Sequence, residues 1–216
     1  MNLFLDIHTH STSSSHQVFA IQNKYPSSDD LSTPFSVGIH PWFLKKETLE
    51  IELFLLEEKL QHENCYAIGE CGLDKAIDVD FDFQKAVFIQ QIHLSEKYQK
   101  PMILHCVRAF QEIIELKKQF SPKQTWILHG FQKSKQLAER FLFNRIFLSF
   151  GEAVLKNPKM ETLISAISMD KIFLETDNSE ISIQEIYQKI ANTKQVSIKE
   201  LQQMMHQNFK NVFLDY

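Results

Sequence analysis

Six apolar runs in this chain each end in residue types that ligate metal ions. They are Asp6-Ile7-His8-Thr9-His10, Gly38-Ile39-His40-Pro41, Ile68-Gly69-Glu70, Ile103-Leu104-His105, Ile127-Leu128-His129 and Leu174-Glu175-Thr176-Asp177. His8 and His10 are two residues apart, so on a strand both imidazoles leave the same face and can chelate one ion. A lone histidine at a strand end is ordinarily structural, because its ring nitrogens find backbone or water. A core has no reason to place His, His, Glu, His, His and Asp at strand ends. Gly38 and Gly69 stand where backbone and ligand would approach closely. The coincidence of these features reads as a metal centre.

For such side chains to meet, the runs must be strands of one sheet. Eight strand candidates are present: Leu3 to Ile7, Val18 to Ile21, Phe35 to Ile39, Tyr66 to Gly69, Met102 to Leu104, Trp126 to Leu128, Ile146 to Phe150 and Ile172 to Leu174. Between most of them apolar residues recur at helical spacing, as in Leu49, Leu53, Leu56 and Leu60, or Phe81, Phe88 and Ile92. Ser182-Ile183-Gln184-Glu185 and Ser197-Ile198-Lys199-Glu200 each read as a capping box opening a helix. Strand alternating with helix predicts a parallel sheet, and eight strands predict an α/β fold of the irregular (β/α)8 TIM-like barrel type. Only Ser11 to His16 separate the first two strands, too few for a crossover helix, so that helix is expected to be reduced or missing. In such a barrel the C-terminal strand ends gather on one face, where active sites are built.

The 216 residues carry 23 basic and 27 acidic side chains, a formal net charge of -4. That balance argues against a broad cationic surface holding nucleic acid by counterion release. With no repeat, low-complexity linker or charge block, the expectation is one domain over residues 1–216. No apolar stretch approaches the ~20 residues that span a bilayer, and the N-terminus lacks the pattern of a signal peptide. The three cysteines, Cys65, Cys71 and Cys106, are too sparse for a disulfide framework and suit a reducing compartment. The expected address is cytoplasmic, with no membrane attachment and no obligate protein partner.

These residues resemble the TatD family of metal-dependent DNases, within the amidohydrolase superfamily. The resemblance is carried in order by Asp6 to His10, Gly38 to Pro41, Gly69-Glu70-Cys71-Gly72-Leu73-Asp74, Lys100-Pro101 through His105, His129-Gly130-Phe131, Glu175 to Asp177, and the closing Asn208-Phe209 through Phe213. It implies a two-metal phosphodiesterase. By position, His8, His10, Glu70 and Asp177 would bind one cation, with Glu70 bridging to a second held by His105 and His129. Glu70 and Asp177 are then the candidate catalytic carboxylates, Asp177 as general base toward a metal-activated water. Histidine and carboxylate sets suit Zn, Mn, Ni, Co or Fe, and Mg can support turnover at a weaker position. Two dications would draw phosphate to an acidic protein, making a nucleic acid or a small phosphodiester the expected substrate.

Four further residues are candidates for substrate contact, each with a structural competitor. His40 either touches phosphate or bonds within the fold, and Arg108 either clamps phosphate or forms a surface ion pair. Trp42 and Phe131, like Phe43, either stack a base or pack over the barrel rim. Asp6 and Asp74 are placed to orient ligands. Lys45, Lys46, Lys75, Arg108, Lys133 and Lys135 are candidates for a local basic track, and His16, His62, His93 and His206 read as ordinary surface histidines. The chain departs from the family pattern at Val107, Trp42, Lys75 and Asn178-Ser179-Glu180. Those changes spare the ligands but trim surfaces that would hold a polynucleotide. The competing readings are an amidohydrolase acting on an amide, lactone or small ester, and a non-catalytic metal-binding barrel.

Overall fold

The computed structural model describes residues 3–12 and 15–214. The described residues form eight strands: β1 (Phe4–Thr9), β2 (Val18–Lys24), β3 (Phe35–Val37), β4 (Cys65–Asp74), β5 (Met102–Val107), β6 (Trp126–Leu128), β7 (Ile146–Phe150) and β8 (Ile172–Leu174). Each overlaps one of the apolar runs picked out in the sequence. The α-helices are α1 (Leu49–Leu60), α2 (Phe81–Tyr98), α3 (Phe110–Phe120), α4 (Lys135–Phe143), α5 (Ala153–Lys156), α6 (Lys159–Ala166), α7 (Ile183–Lys194) and α8 (Ile198–Phe209). The described residues between β1 and β2 contain no helix, as their number requires; Ser13 and Ser14 lie outside the described residues. The connection from β2 to β3 has none either. Its Pro26, Ser28, Asp30 and Ser32 form turns, in which the Tyr25 amide donates to the Ser28 hydroxyl (2.9 Å) and the Ser32 amide to Asp30 Oδ1 (3.1 Å).

The chain divides into two compact units. One takes the described residues up to Gln22 and those from His129 onward. In it β7 pairs in parallel with β8, β1 pairs in parallel with the first part of β2, and Thr9 at the end of β1 bridges to Asp177 beyond β8. Its core includes Ile7, Phe150, Phe173, Ile186, Tyr187, Leu201 and Phe213, all at most 1% exposed. The other unit, Asn23–Leu128, holds the parallel ladders β3–β4, β4–β5 and β5–β6. Phe35, Leu56, Val87, Phe88, Ile92, Ile103 and Trp126 form its core. Strand β4 is buried along nearly its whole length, as a parallel strand covered on both faces must be.

Several buried polar side chains on helices bond the strands beneath them rather than water. On α7, the Tyr187 hydroxyl accepts from the Leu5 amide (3.1 Å) and donates to the Leu5 carbonyl (3.2 Å), interrupting neither strand nor helix. On α8, Asn208 Nδ2 donates to the carbonyls of Met169 (2.8 Å) and Ile172 (2.9 Å), fixing the start of β8. Each bond satisfies a buried donor or acceptor and sets the helix height relative to the strand. Among the described residues no helix is long and apolar enough to cross a membrane.

Both capping boxes are formed. Ser182 Oγ accepts from the Glu185 amide (3.3 Å) while Glu185 Oε2 accepts from the Ser182 amide (3.0 Å), and Ser197 with Glu200 repeats the arrangement at 3.2 and 2.8 Å. Ser182→Ala and Ser197→Ala should each lower the unfolding free energy by about 1 kcal/mol. The double substitution should cost the sum, because the two caps share no partner. Urea unfolding followed by circular dichroism measures both.

Candidate metal centre

In the first unit the end of β1 and the residues after β8 are tied by their backbones before any side chain is considered. The Asp177 amide donates to the His8 carbonyl (2.9 Å), and the His10 amide donates to the Asp177 carbonyl (3.0 Å). Asp177 takes a left-handed conformation to do so (φ 52°), a strained backbone for a residue with a Cβ. The result is a compact donor set. His8 Nε2 lies 3.6 Å and His10 Nε2 3.5 Å from Asp177 Oδ1. Ligand atoms that share one ion at bond lengths of ~2.1 Å stand about 3.4 Å apart in tetrahedral geometry, so the three side chains are spaced to hold a divalent ion.

The same unit brings His129 beside this set, its ring centroid 4.6 Å from that of His8. His129 Nδ1 lies 3.6 Å from Glu175 Oε1, which also accepts from the Gly130 amide at 2.6 Å. Glu175 is fully buried, and its other oxygen has no hydrogen-bond partner among the described residues. Asp6 does not face the donor set. Its carboxylate accepts from the Thr176 amide (3.1 Å) and hydroxyl (2.6 Å), holding the strand end that carries Asp177, and burial pushes its pKa up to about 7 against those bonds. A polar cavity of about 640 Å³ opens on Asp177, with Glu175, Lys156 and Asn178 in its lining.

In the second unit Glu70 is the hub. It is 6% exposed, and its Oε1 lies 3.1 Å from His40 Nε2 and 3.0 Å from His105 Nδ1. The hydrogen-bond partners settle the tautomers. His40 Nδ1 accepts from the Trp42 amide (3.1 Å), so its Nε2 carries the proton that Glu70 receives. His105 Nε2 faces Asp74 Oδ2 at 3.0 Å, and a carboxylate only accepts, so the proton of a neutral His105 sits there. The lone pair on Nδ1 then points at the Glu70 oxygen. Two electron-pair donors at that separation require a cation between them, whether a proton or a metal ion, and an imidazole with a carboxylate is a donor set for divalent metals.

The surrounding residues hold this arrangement. Asp74 also accepts from Trp42 Nε1 (2.7 Å) and from the Ala76 amide (2.7 Å). Burial works to raise its pKa, but the bonds from Trp42 and His105 outweigh that and bring it below the usual value. Asn23 Oδ1 accepts from the Glu70 amide (2.7 Å). Two buried glutamines of α2, seven residues apart, grip two strand ends: Gln91 bonds both the amide (2.8 Å) and carbonyl (3.1 Å) of Ile39, and Gln84 those of Asp74 (2.8 and 3.0 Å). Glycine is required where the strands touch. A Cβ on Gly72 (φ 140°) would lie 2.1 Å from the His105 carbonyl oxygen, and one on Gly38 would lie 2.8 Å from that of Glu70.

The structure thus gathers His8, His10 and Asp177, with His129 adjacent, and separately His40, Glu70 and His105. His40, read in the sequence as a substrate contact, is bonded to the Glu70 carboxylate. Trp42 is 55% exposed with its indole anchored on Asp74, so its free face remains available. Arg108 is exposed, in a left-handed conformation (φ 54°). Phe131 is corrected: it is 2% exposed and packs edge-on against Phe141 and Phe150, because the Gly130 turn directs it into the core, and it offers no stacking face. Of the basic track, Lys75 pairs with Glu112 and Lys135 with Glu139. Asn23, Gln84 and Gln91 were not singled out in the sequence, and Glu175 stood in a quoted motif without a role of its own. The glutamines carry a usable signal, since both fall on the apolar face of α2 with Val87, Phe88 and Ile92, where an amide needs a partner.

Because Asp74 orients His105 from the side away from Glu70, Asp74→Ala should weaken divalent-ion binding about 10- to 100-fold without unfolding the chain. Competition against a chromogenic chelator measures the affinity. Binding at wild-type strength would show that the orientation of His105 does not depend on Asp74.

Residues 3–214 match the family model described as TatD related DNase. The chain is 29% identical over 195 residues to YabD of Bacillus subtilis, an uncharacterized metal-dependent hydrolase, covering 82% of this chain and 76% of that one. It is 29% identical over 147 residues to the human 3'-5' RNA nuclease TATDN2, covering 65% of this chain and 19% of that protein. The solved structure of YjjV, a TatD homologue from Escherichia coli, aligns with a TM-score of 0.83 at 21% identity, covering 99% of this chain and 98% of that one. This likeness shows the fold, a TIM-like barrel of eight parallel strands with interleaved helices. Imidazoles and carboxylates collected on the strands and just beyond them are what a metal-dependent hydrolase on that fold needs, and with the family model matched over nearly its whole length, the chain belongs to the TatD family of metal-dependent hydrolases.

Proposed function

We propose that this protein hydrolyses phosphodiester bonds in nucleic acid, with single-stranded DNA as the first substrate to consider. Residues 1–216 act as one catalytic domain in this reading. In this reading His8, His10, Glu70, His105, His129 and Asp177 would hold two divalent ions. The observation that carries the reading is the close set of His8, His10 and Asp177, whose donor atoms already stand at the separations one ion would impose. The family description and the human relative's name, one specifying DNA and the other RNA, support a nucleic-acid substrate. Zn, Mn, Ni, Co and Mg are all compatible with the donor set.

Bound divalent ions would acidify a water molecule and stabilise charge on the attacking and leaving oxygens of the phosphate. The remaining work falls to side chains. Asp177, 37% exposed and lining the 640 Å³ cavity, accepts the proton lost by the attacking water. Its backbone bonds hold the carboxylate in place, so little reorientation is needed. Glu70, buried, receives the His40 proton and with His105 Nδ1 offers a pair of donors to a cation. Trp42 and Arg108 present an aromatic face and a guanidinium to substrate. Cationic charge at the centre would attract phosphate to a chain whose formal net charge is -4.

Metal-stripped protein should be inactive and should regain cleavage of single-stranded DNA and of methyl p-nitrophenyl phosphate when Mn, Mg or Zn is returned. Asp177→Ala should lower kcat by about 10²- to 10⁴-fold. Activity on a lactone or amide with none on either phosphodiester would replace this reading by the amidohydrolase one, and tight metal binding with no turnover of any of these would leave a non-catalytic barrel. Elemental analysis of the loaded protein should find two ions per chain, and fewer in Glu70→Ala.

A further inference from the structure

A second cavity, of about 300 Å³, lies in the unit that carries Glu70 and His40, and no role assigned so far accounts for it. Its walls are aromatic. Tyr25 and Phe43 meet edge to face with ring centroids 5.4 Å apart, and Phe43 remains 50% exposed. Its floor is the strand-end segment Gly38-Ile39-His40. The His40 ring, 5.6 Å from that of Phe43, is the same ring that bonds Glu70. The cavity and the candidate metal centre therefore share a side chain.

Each wall is held by the chain's own hydrogen bonds. On the Tyr25 side, the Tyr25 amide donates to Ser28 Oγ and the Ser28 amide returns to the Tyr25 carbonyl (both 2.9 Å). On the other, the turn Pro41–Phe43 begins at Pro41, and the Phe43 amide donates to the His40 carbonyl (3.1 Å). Gln91 clamps the floor through both polar groups of Ile39. At the margin stands Glu52, whose Oε1 accepts from the Thr48 hydroxyl (2.7 Å), leaving the carboxylate capacity to accept further bonds. The cavity is preformed, at the lower end of the size of ligand sites, mostly apolar, and has a few fixed polar groups at its edge.

We propose that this cavity is a subsite for one nucleobase of the substrate, stacked on the exposed Phe43 ring with Tyr25, perpendicular to Phe43, at its edge, and with a base amino group donating to Glu52. Resting on the phosphodiesterase reading, it specifies the chemical class recognised beside the scissile phosphate. A planar heteroaromatic ring matches aromatic walls that an aliphatic or sugar group would use poorly. His40 links the subsite to Glu70, so a group bound here is joined to a phosphate near the candidate centre. The subsite reads a base one nucleotide at a time and requires no extended basic groove, which fits an acidic chain.

The test compares adenosine 5'-monophosphate with ribose 5-phosphate, which lacks only the base, by isothermal titration of protein supplied with Mn. The nucleotide should bind about tenfold more tightly. Phe43→Ala and Tyr25→Ala should each remove that advantage while ribose 5-phosphate binds as before, which also shows that the variants remain folded. Equal affinities for the two ligands in the unsubstituted protein, or an advantage that survives both substitutions, would overturn the subsite. DNA cleavage measured on the same preparations judges the parent reading separately: a base-dependent advantage without cleavage keeps the subsite and discards the nuclease, and cleavage without the advantage does the reverse.

Discussion

The Glu70 carboxylate, almost removed from solvent and placed between two imidazoles, is the constraint on which the rest of the site depends. A buried carboxylate is costly unless compensated by positive charge and donors, and this one is given a proton donor in His40 and a site for a cation toward His105. The tautomers that make this possible are set one bond further out, by the Trp42 amide on His40 and by Asp74 on His105. Asp74 in turn anchors the Trp42 indole. A chain of four side chains and one backbone turn therefore determines how a single carboxylate oxygen is presented.

Rigidity at the strand ends comes from buried amides more than from the sheet. Gln84 and Gln91 take both polar groups of a strand-end residue, and Asn23 takes the Glu70 amide. A C-terminal strand end leaves backbone groups unpaired where the ladder stops, and an amide side chain, carrying both donor and acceptor, completes the ladder without adding charge. In the other unit the Tyr187 hydroxyl bonds both polar groups of Leu5 in β1, and Asn208 Nδ2 donates to two carbonyls at the start of β8. The strands that carry the candidate ligands are thus held in part by side chains of other elements.

Asp177 is positioned differently. Its place is set by main-chain bonds to His8 and His10, which oblige it to adopt a left-handed backbone. The strain is sustained because those two bonds, which together make the bridge to Thr9, hold the residue through both its amide and its carbonyl. Arg108, also left-handed, lies beyond the end of β5. Glycine at either position would relax the backbone, but would remove a side chain to which the proposed function gives a role.

Much of this was legible in the amino-acid order. Apolar runs at regular intervals located all eight strands, because a buried parallel strand has to be continuously apolar, and the two serine–glutamate boxes located the last two helices, because an unpaired helix start has few remedies. Ligand types at the strand ends, with His8 and His10 in alternation, identified the metal-binding chemistry, since periodicity alone puts them on one face. What the order could not convey was which polar groups meet across the fold. Phe131 reads like Phe43 in sequence, each beside a candidate ligand residue, yet one is core and the other a cavity wall, because the turn at Gly130 points inward and the turn at Pro41 does not. Likewise His40 became a partner of Glu70, and Gln84, Gln91, Asn23 and Glu175 acquired roles, only when residues up to 52 positions apart were brought within hydrogen-bonding reach. Local pattern determines element and facing; the pairing of buried donors with acceptors is a long-range condition that only the folded chain satisfies.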